Sequence, residues 1–412
     1  MLQPRHSIAP APIALTALIA LGVLAVPAAQ ADSVTEWSEK TAQIASAESM
    51  TPRAVMTAAL SQVAVYEAVN GITRKYPRPR FDLGAARDAS VDAAVAAASR
   101  AVLAKFAPDS QSARIEQEYR AALAAIPDGA AKERGIAVGE LAAKRVMESR
   151  AQDNWQVKES YRPRAQPGKY IPTAAPVMSH WPQRTGWVIE RADQFRPGPP
   201  TPLDSALWAR DYEEIRVLGA RENSGRTAEQ TEIARVWQTT APIIYFQVIK
   251  SVSGQPGRDA TRNARLYSTV TQAMDDAMIA IFDAKYAYEF WRPVTAIRNG
   301  DLDGNDATPR DPSWLPFIET PMHPEYPCAH CVLAGAVGAV LKADLGTDPV
   351  PVLSTTSPTA PGVVRKWNTV DAFVQEVSNG RIYDGVHYRN STEIGSDMGR
   401  KVGELAVTRN MR

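Results

Sequence analysis

Helical periodicity is the feature that most limits what this 412-residue chain can fold into. In its first half, four Ala-rich stretches repeat their apolar residues at helical spacing, at about 52–71, 88–106, 110–125 and 131–150. The pattern returns near 205 and at about 225–238, 260–291, 329–344, 367–379 and 391–408. Strand-like alternation is nearly absent. The sequence therefore predicts an all-α fold, a helical bundle with long irregular connections, in which functional side chains project inward from facing helices.

The first 31 residues have the pattern of an export signal. Arg5 gives a basic start, residues 13–26 form an apolar run, and Ala29 and Ala31 form a small-x-small cleavage site. This run is shorter than the ~20 apolar residues that a spanning helix needs. No later uninterrupted segment reaches that length. We therefore expect a periplasmic or secreted protein that has no membrane span after removal of the signal, residues 1–31.

Composition divides the rest of the chain into three parts. Residues 32–153 are helical and Ala-rich, residues 154–204 form an irregular connection rich in Pro, and residues 205–412 return to the helical pattern. The chain has 46 basic and 45 acidic residues, so it has no overall field that would attract nucleic acid. Any anion chemistry must come from a local cluster. The sequence leaves the oligomeric state open, a homo-oligomer included.

The stretch HPEYPCAHC, residues 323–331, holds two of the five histidines and both cysteines. Zinc is not expected, because one C-x-x-C lacks a second pair of ligands and His330 lies between the thiols. A redox dithiol needs a βαβ setting that a helical chain does not offer. Pro327 precedes a helical pattern, which predicts a helix N-terminus whose free N–H groups attract anions. A structural disulfide between Cys328 and Cys331 and two small packing thiols both remain open.

A second segment, KYAYEFWRP, carries two cations in an aromatic setting. Lys285 and Arg292 are seven residues apart, so at 100° per residue they return to one helix face before Pro293 ends the helix. Such a pair is usually a solvated basic face. Here the neighbouring aromatic residues indicate burial, and a buried cation needs an anionic partner. The segment is therefore a candidate for anion binding.

A third segment, GRIYDGVHYRNSTEIG, places Arg381 and His387 on either side of a turn marked by Asp384 and Gly385. Either residue alone would usually be structural. Together the three segments supply a lysine, two arginines, a helix N-terminus and two histidines. This set suits a tetrahedral oxyanion, because the cations neutralise its oxygens, one imidazole attacks or ligates its centre, and the other moves a proton.

The three segments resemble, in order and spacing, the signature of the vanadium haloperoxidase and type 2 phosphatidic acid phosphatase superfamily, written K-x6-RP, PSGH and SR-x5-H-x3-D. The matching positions are Lys285-x6-Arg292-Pro293, Pro327-Cys328-Ala329-His330 and Arg381-x5-His387. The resemblance implies a helical bundle whose catalytic part is residues 205–412. Each motif alone is weakly specific, whereas the ordered set is strongly so.

The resemblance also implies roles for these residues. His387 would ligate vanadium or act as a phosphohistidine nucleophile, and His330 would be the acid and base. The oxyanion would be bound by Lys285, Arg292, Cys328, Ala329 and Arg381. Family bromoperoxidases tend to carry His five residues before the motif serine, as His323 stands before Cys328, which makes His323 a candidate halide-site residue.

The sequence departs from the signature at four positions. Cys328 replaces Ser, Ala329 replaces Gly, Gly380 replaces Ser, and Ser391 replaces the final Asp. The family Asp orients the nucleophilic imidazole, so another carboxylate or a backbone carbonyl must take over that task. A free thiol at Cys328 would be oxidised beside bound peroxide, whereas a disulfide with Cys331 would protect it.

These observations predict an exported haloperoxidase-like enzyme with vanadate as its cofactor. Its substrates would be hydrogen peroxide and a halide, with bromide favoured. The first alternative is an acid phosphatase of the same superfamily, which would hydrolyse a phosphate monoester and need no cofactor. The second alternative is an exported protein that binds phosphate or vanadate without catalysis, which the four departures would explain as the traces of a decayed site.

Overall fold

The computed structural model describes residue 1 and residues 32–77 and 79–412. The predicted export signal lies outside the described residues, apart from Met1. Helices before the irregular connection are α1 Ser33–Ser46, α2 Thr51–Thr73, α3 Val91–Phe106, α4 Ser112–Ala124 and α5 Ala130–Ser149. In residues 154–204 the only regular element of the described chain is a 3-10 turn, Trp181–Gln183.

The second half of the chain is also helical. Its elements are α6 Ala206–Leu218, α7 Ala228–Val236, α8 Pro242–Ser253, α9 Ala260–Tyr288, α10 Pro293–Arg298, α11 Ala329–Leu345, β1 Leu353–Ser357, β2 Ala360–Trp367, α12 Val370–Tyr383 and α13 Arg389–Asn410. The two strands form an antiparallel hairpin. The predicted all-α bundle with long connections is thus confirmed. No helix in the described ranges has the length and hydropathy needed to cross a bilayer.

Helix α9 is the central element, because it packs against α1, α2, α8, α11 and α13. Two fully buried acidic residues on it anchor the irregular connection. Asp275 accepts hydrogen bonds from both terminal nitrogens of Arg184, at 2.6 and 3.0 Å. Asp276 accepts three backbone N–H groups of residues 187–189, at 2.6 to 2.9 Å. Buried carboxylates need such partners, so this stretch is fixed although it lacks regular structure.

Helices α11 and α13 pack closely because glycines remove the side chains between them. A Cβ on Gly399 would lie 1.9 Å from the carbonyl oxygen of Val332, which no real side chain could do. At the start of the same contact, the N–H of Cys328 donates to the carbonyl oxygen of Ser391 at 3.2 Å. The close packing therefore sets the N-terminus of α11 against the N-terminus of α13.

Two local predictions were wrong, and two elements were not predicted. Helix α9 ends at Tyr288 rather than near Trp291, because Glu289 adopts a left-handed conformation with φ 54°. Pro293 consequently begins α10 instead of ending the preceding helix, and Arg292 is the N-cap of α10. Helix α8 was missed although its less buried positions, residues 243, 247, 250 and 251, recur at helical spacing. The hairpin was missed because two of the three buried positions of β1, Thr355 and Ser357, are polar and give no apolar alternation.

Candidate oxyanion-binding site

A cavity of about 250 Å³ lies where the three sequence segments meet. His323, Ala329, His330, Arg381 and His387 line it. Further lining comes from the N-terminus of α2 and from residues 177–178 of the irregular connection. The structure therefore gathers segments more than 100 residues apart around one space. Lys285 and Arg292 are not part of this lining, but Arg292 contacts the lining residues His323 and His387 and Lys285 binds the loop between His323 and Ala329.

His387 is held from its Nδ1 side by a carboxylate that the sequence analysis had not assigned. Glu325 Oε1 lies 2.8 Å from His387 Nδ1 and also accepts the N–H of Tyr388 at 3.1 Å. Both side chains are completely buried. Once ionised, Glu325 accepts at this contact, which assigns the proton to Nδ1 and leaves Nε2 unprotonated, with a lone pair that can act as a ligand or nucleophile.

Arg292 connects His387 to His323. Its Nη1 lies 3.3 Å from His387 Nε2 and donates to the carbonyl oxygen of Val386 at 2.9 Å. Its Nη2 lies 3.0 Å from His323 Nδ1, and its Nε donates to the His323 carbonyl oxygen at 2.9 Å. Because an arginine only donates, His323 Nδ1 must accept. Nδ1 also lies 3.2 Å from the carbonyl oxygen of Pro324, which would favour a proton there, but the shorter contact with Arg292 assigns the proton to Nε2.

Lys285 supports the loop before α11. Its ammonium donates to the carbonyl oxygens of Pro324, Glu325 and Pro327, at 2.9, 2.7 and 2.5 Å. These bonds use all three of its protons. In this structure Lys285 therefore brings positive charge to the site and positions Glu325, while no N–H of its own remains for an anion.

Arg381 lies on the opposite side of the cavity. Its Nη1 donates to the carbonyl oxygen of Trp237 at 2.6 Å and to the carboxylate of Asp384. Arg381 and Asp384 are both fully buried and stand three residues apart at the end of α12. The Nε atom of Arg381 is buried without a partner in the described part of the chain, so one donor of this side chain remains for a ligand.

The N-terminus of α11 adds further unpaired groups. The N–H of Cys331 donates to Sγ of Cys328, whereas the N–H groups of Ala329 and His330 have no partner among the described residues. Nε2 of His330 is also buried without a partner there. Cys328 and Cys331 are joined by a disulfide. Free N–H groups at a helix N-terminus bind anions well.

The cluster has an excess of positive charge. Lys285, Arg292 and Arg381 face two carboxylates, Glu325 and Asp384, within the same buried region. Burial lowers the pKa of each of the three cations, to about 10 for Arg292. Burial raises the pKa of Glu325 and of Asp384 to about 7. The three cations would gain from one added anion, because it would compensate the unbalanced charge.

The three site histidines are neutral in this environment. Burial holds the pKa of His387 well below its usual value of 6.5, and Arg292 and Lys285 lower it further. Burial has the same effect on the pKa of His323, reinforced by Lys285, and on the pKa of His330, reinforced by Arg381. A bound anion would oppose this effect and raise the pKa of all three histidines.

The raised pKa of Glu325 leads to a pH-dependent prediction for Glu325→Gln. Between the ordinary pKa of 4.5 and the folded pKa of about 7, the unfolded wild type loses this proton and the folded wild type keeps it. The free energy of unfolding of the wild type should therefore fall with rising pH relative to that of Glu325→Gln. The difference between the two free energies should level off above pH 7. Urea denaturation of both proteins from pH 5 to 8 measures this. A difference that does not change with pH would contradict it.

Two functional residues were missed by sequence reasoning, Glu325 and Asp384. Glu325 lies between two prolines inside the HPEYPCAHC stretch, and the absence of Asp at position 391 was the only sign that a carboxylate was needed elsewhere. Asp384 stands three residues after Arg381, a helical spacing that brings opposite charges together. The described residues contain no group of three or more His, Cys, Asp or Glu side chains placed to hold a metal cation.

Comparison with known proteins finds a family match in the second part of the chain. The family model of the VCPO second helical-bundle domain matches residues 265–412, the part of the chain that holds every cationic and imidazole group of the site. The vanadium chloroperoxidase of Curvularia inaequalis is 28% identical over 175 residues. That match covers 30% of this chain and only 28% of the fungal protein.

Solved structures extend the likeness in fold to nearly the whole chain. A bacterial vanadium-dependent iodoperoxidase superimposes with a TM-score of 0.74 at 23% identity, covering 92% of this chain and 94% of that one. The holo form of a bacterial vanadium-dependent chloroperoxidase gives a TM-score of 0.68 at 17% identity, covering 91% and 96%. At such identities the likeness shows the fold and leaves the substrate undecided.

Proposed function

Because the chain belongs to the vanadium haloperoxidase and type 2 phosphatidic acid phosphatase superfamily, we propose that it is a vanadium-dependent haloperoxidase. Its substrates would be hydrogen peroxide and a halide. One observation carries the proposal: a neutral imidazole with an unprotonated Nε2, oriented by Glu325 at 2.8 Å and by Arg292 at 3.3 Å, lies beside a buried cluster that has one positive charge in excess.

The residues present fit a vanadate ion. Buried groups that lack partners in the described chain lie at the cavity, namely Nε2 of His330, Nε of Arg381 and the N–H groups at the start of α11. Unpaired buried polar groups are costly, so a tetrahedral oxyanion that accepts from them would stabilise the site. His387 would be the direct ligand, and Arg381, Arg292 and the helix N-terminus would bind the oxygens.

Each residue then has a definite task in the reaction. Glu325 keeps the proton on Nδ1 of His387 and so keeps Nε2 available. Lys285 holds the loop that carries Glu325, and its charge favours an anion. When bound, vanadate supplies a Lewis-acidic centre that activates hydrogen peroxide toward a halide. His330 accepts and returns a proton at Nε2, and its pKa rises toward neutrality once negative charge is present.

We further propose bromide as the favoured halide. His323 lines the cavity with its Nε2–H as a neutral donor, because Arg292 occupies Nδ1. The ring also packs edge-on against Phe282 at 5.3 Å. A single donor in a largely apolar wall suits a large, weakly hydrated anion better than a strongly hydrated one.

Bromination of monobromodimedone tests the proposed function. After vanadate loading, the protein should brominate this acceptor in the presence of peroxide and bromide, and chelation of vanadate should abolish the reaction. Release of p-nitrophenol from its phosphate ester should stay at the background level in the loaded enzyme, because vanadate then occupies the site. No bromination at full vanadium occupancy would rule the proposal out.

We also propose that the protein acts outside the cytoplasm. The disulfide between Cys328 and Cys331 supports this, because such bonds persist in oxidising compartments. Protein isolated from its natural compartment, denatured without reductant and treated with a maleimide should therefore show no labelled thiol. The same sample after reduction should show two, which provides the control. Two labelled thiols before reduction would contradict the proposal.

A further inference from the structure

The cavity is unusually rich in thioethers. Four of the ten methionines of the chain line it. Met50 and Met322 are 42% and 39% exposed and lie at its rim, whereas Met178 and Met278 are 7% and 2% exposed and lie inside. Three other methionines are fully buried elsewhere in the core, among them Met274, one helical turn before Met278 on α9.

The position of Met178 is built into the fold. Its backbone adopts φ 67°, a left-handed conformation that is costly for a residue with a long side chain. The carboxylate of Glu159 compensates by accepting the N–H groups of both Met178 and Ser179, the latter at 2.9 Å. His180 binds the same carboxylate through Nδ1 at 3.1 Å. Three consecutive residues thus hold Met178 at the cavity wall.

Thioether sulfur reacts readily with hypohalous acid, which the proposed function would release between these residues and His387. The sulfur takes up the halogen and hydroxide leaves. Water then attacks the halosulfonium sulfur and expels halide, so that thioether and hypohalous acid give sulfoxide, halide and a proton. Cys328 and Cys331 are already oxidised to a disulfide, which leaves the methionines as the reactive sulfur of the cavity.

We propose that Met178 and Met278 are modification sites of the enzyme, converted to methionine sulfoxide by its own product. This inference rests on the proposed haloperoxidase function. The conversion changes an apolar wall into a polar one, so each enzyme molecule alters its acceptor pocket as it turns over. It also removes oxidant before that oxidant reaches His323 and His330, which line the same cavity.

Peptide mass mapping of the loaded enzyme tests the proposal. The enzyme turns over peroxide and bromide in the presence of excess taurine, which traps hypobromous acid in bulk solution, while bromination is measured in a parallel sample. In a second arm, vanadate-free protein receives reagent hypobromous acid. Two partly buried methionines outside the cavity, Met147 and Met411, report oxidation from the bulk, and Met274 controls for burial.

During turnover, Met178 and Met278 should be oxidised first, with Met274 unchanged. The ratio of Met178 and Met278 oxidation to Met147 and Met411 oxidation should be about tenfold or more higher during turnover than in the reagent arm. The reason is that during turnover the oxidant forms beside Met178 and Met278. Equal ratios in the two arms, or unmodified Met178 and Met278 in enzyme that brominates, would overturn the inference. Absence of bromination itself would instead refute the proposed function, so the two failures are distinguishable.

Discussion

Replacing His387 with Ala should reduce vanadate-dependent bromination to the level measured without vanadate. The side chain is fully buried, Glu325 binds its Nδ1, and its unprotonated Nε2 faces Arg292 Nη1 at 3.3 Å. Loss of a direct ligand should weaken vanadate binding by more than the roughly 10–100-fold typical of an outer partner. Calorimetric titration with vanadate and the bromination rate measure the two effects separately.

His330→Ala is the matched comparison, because His330 lies at the same cavity and is assigned proton transfer instead of ligation. We expect it to lose most of its turnover, by about 10²-fold or more, while vanadate affinity changes much less. His387→Ala binding vanadate as tightly as wild type would refute the assignment of His387 as the ligand.

Replacing Glu325 with Ala should lower vanadate affinity by about 10–100-fold, the effect expected when the partner of a ligating histidine is removed. Without the carboxylate, Nδ1 of His387 loses its acceptor and the ring can adopt the other tautomer. The vanadate affinity of Glu325→Gln should lie between those of Glu325→Ala and wild type, since an amide oxygen still accepts the Nδ1 proton. Titration of all three proteins at one pH gives the order of affinities.

A second substitution can test whether the carboxylate acts through His387. Ser391 stands where the superfamily has Asp, and it borders the same small buried space as Glu325. Adding Ser391→Asp to Glu325→Ala should therefore restore part of the lost affinity, and Ser391→Asn in that background should restore less, because its amide oxygen accepts the proton but carries no charge. Failure of the aspartate to improve on the asparagine would show that Glu325 serves mainly to stabilise the loop.

Much of the fold could be predicted because each long helix carries its own period. Helices α2, α3 and α5 begin and end within a few residues of the predicted limits. Prediction failed where the decisive contact is not local. The end of α9 depends on the left-handed Glu289, whose carbonyl oxygen accepts the N–H of Tyr170 from the irregular connection, and no periodicity in KYAYEFWRP could reveal that contact.

The same distinction between local patterns and distant contacts explains which residues of the site could be predicted from the sequence. Its cations and histidines fall in three compact motifs, so their spacing identified them, and the structure brings them together. Glu325 meets His387 across 62 residues of sequence, a pairing that depends on how the loop before α11 folds back over α9. The three carbonyl bonds of Lys285 fix that loop, and backbone acceptors leave no trace in the identity of the residues that carry them.

The position of helix α9 determines which parts of the site can accept mutations. Asp275 and Asp276 near its middle anchor residues 184–189 of the irregular connection, and Lys285 near its end holds the loop that carries Glu325, the partner of His387. One helix, α9, thus positions the loop that holds His387. The rim of the cavity, by contrast, comes from segments that are anchored elsewhere. Mutations at the rim can diversify the organic acceptor without disturbing the charge balance on which activation depends.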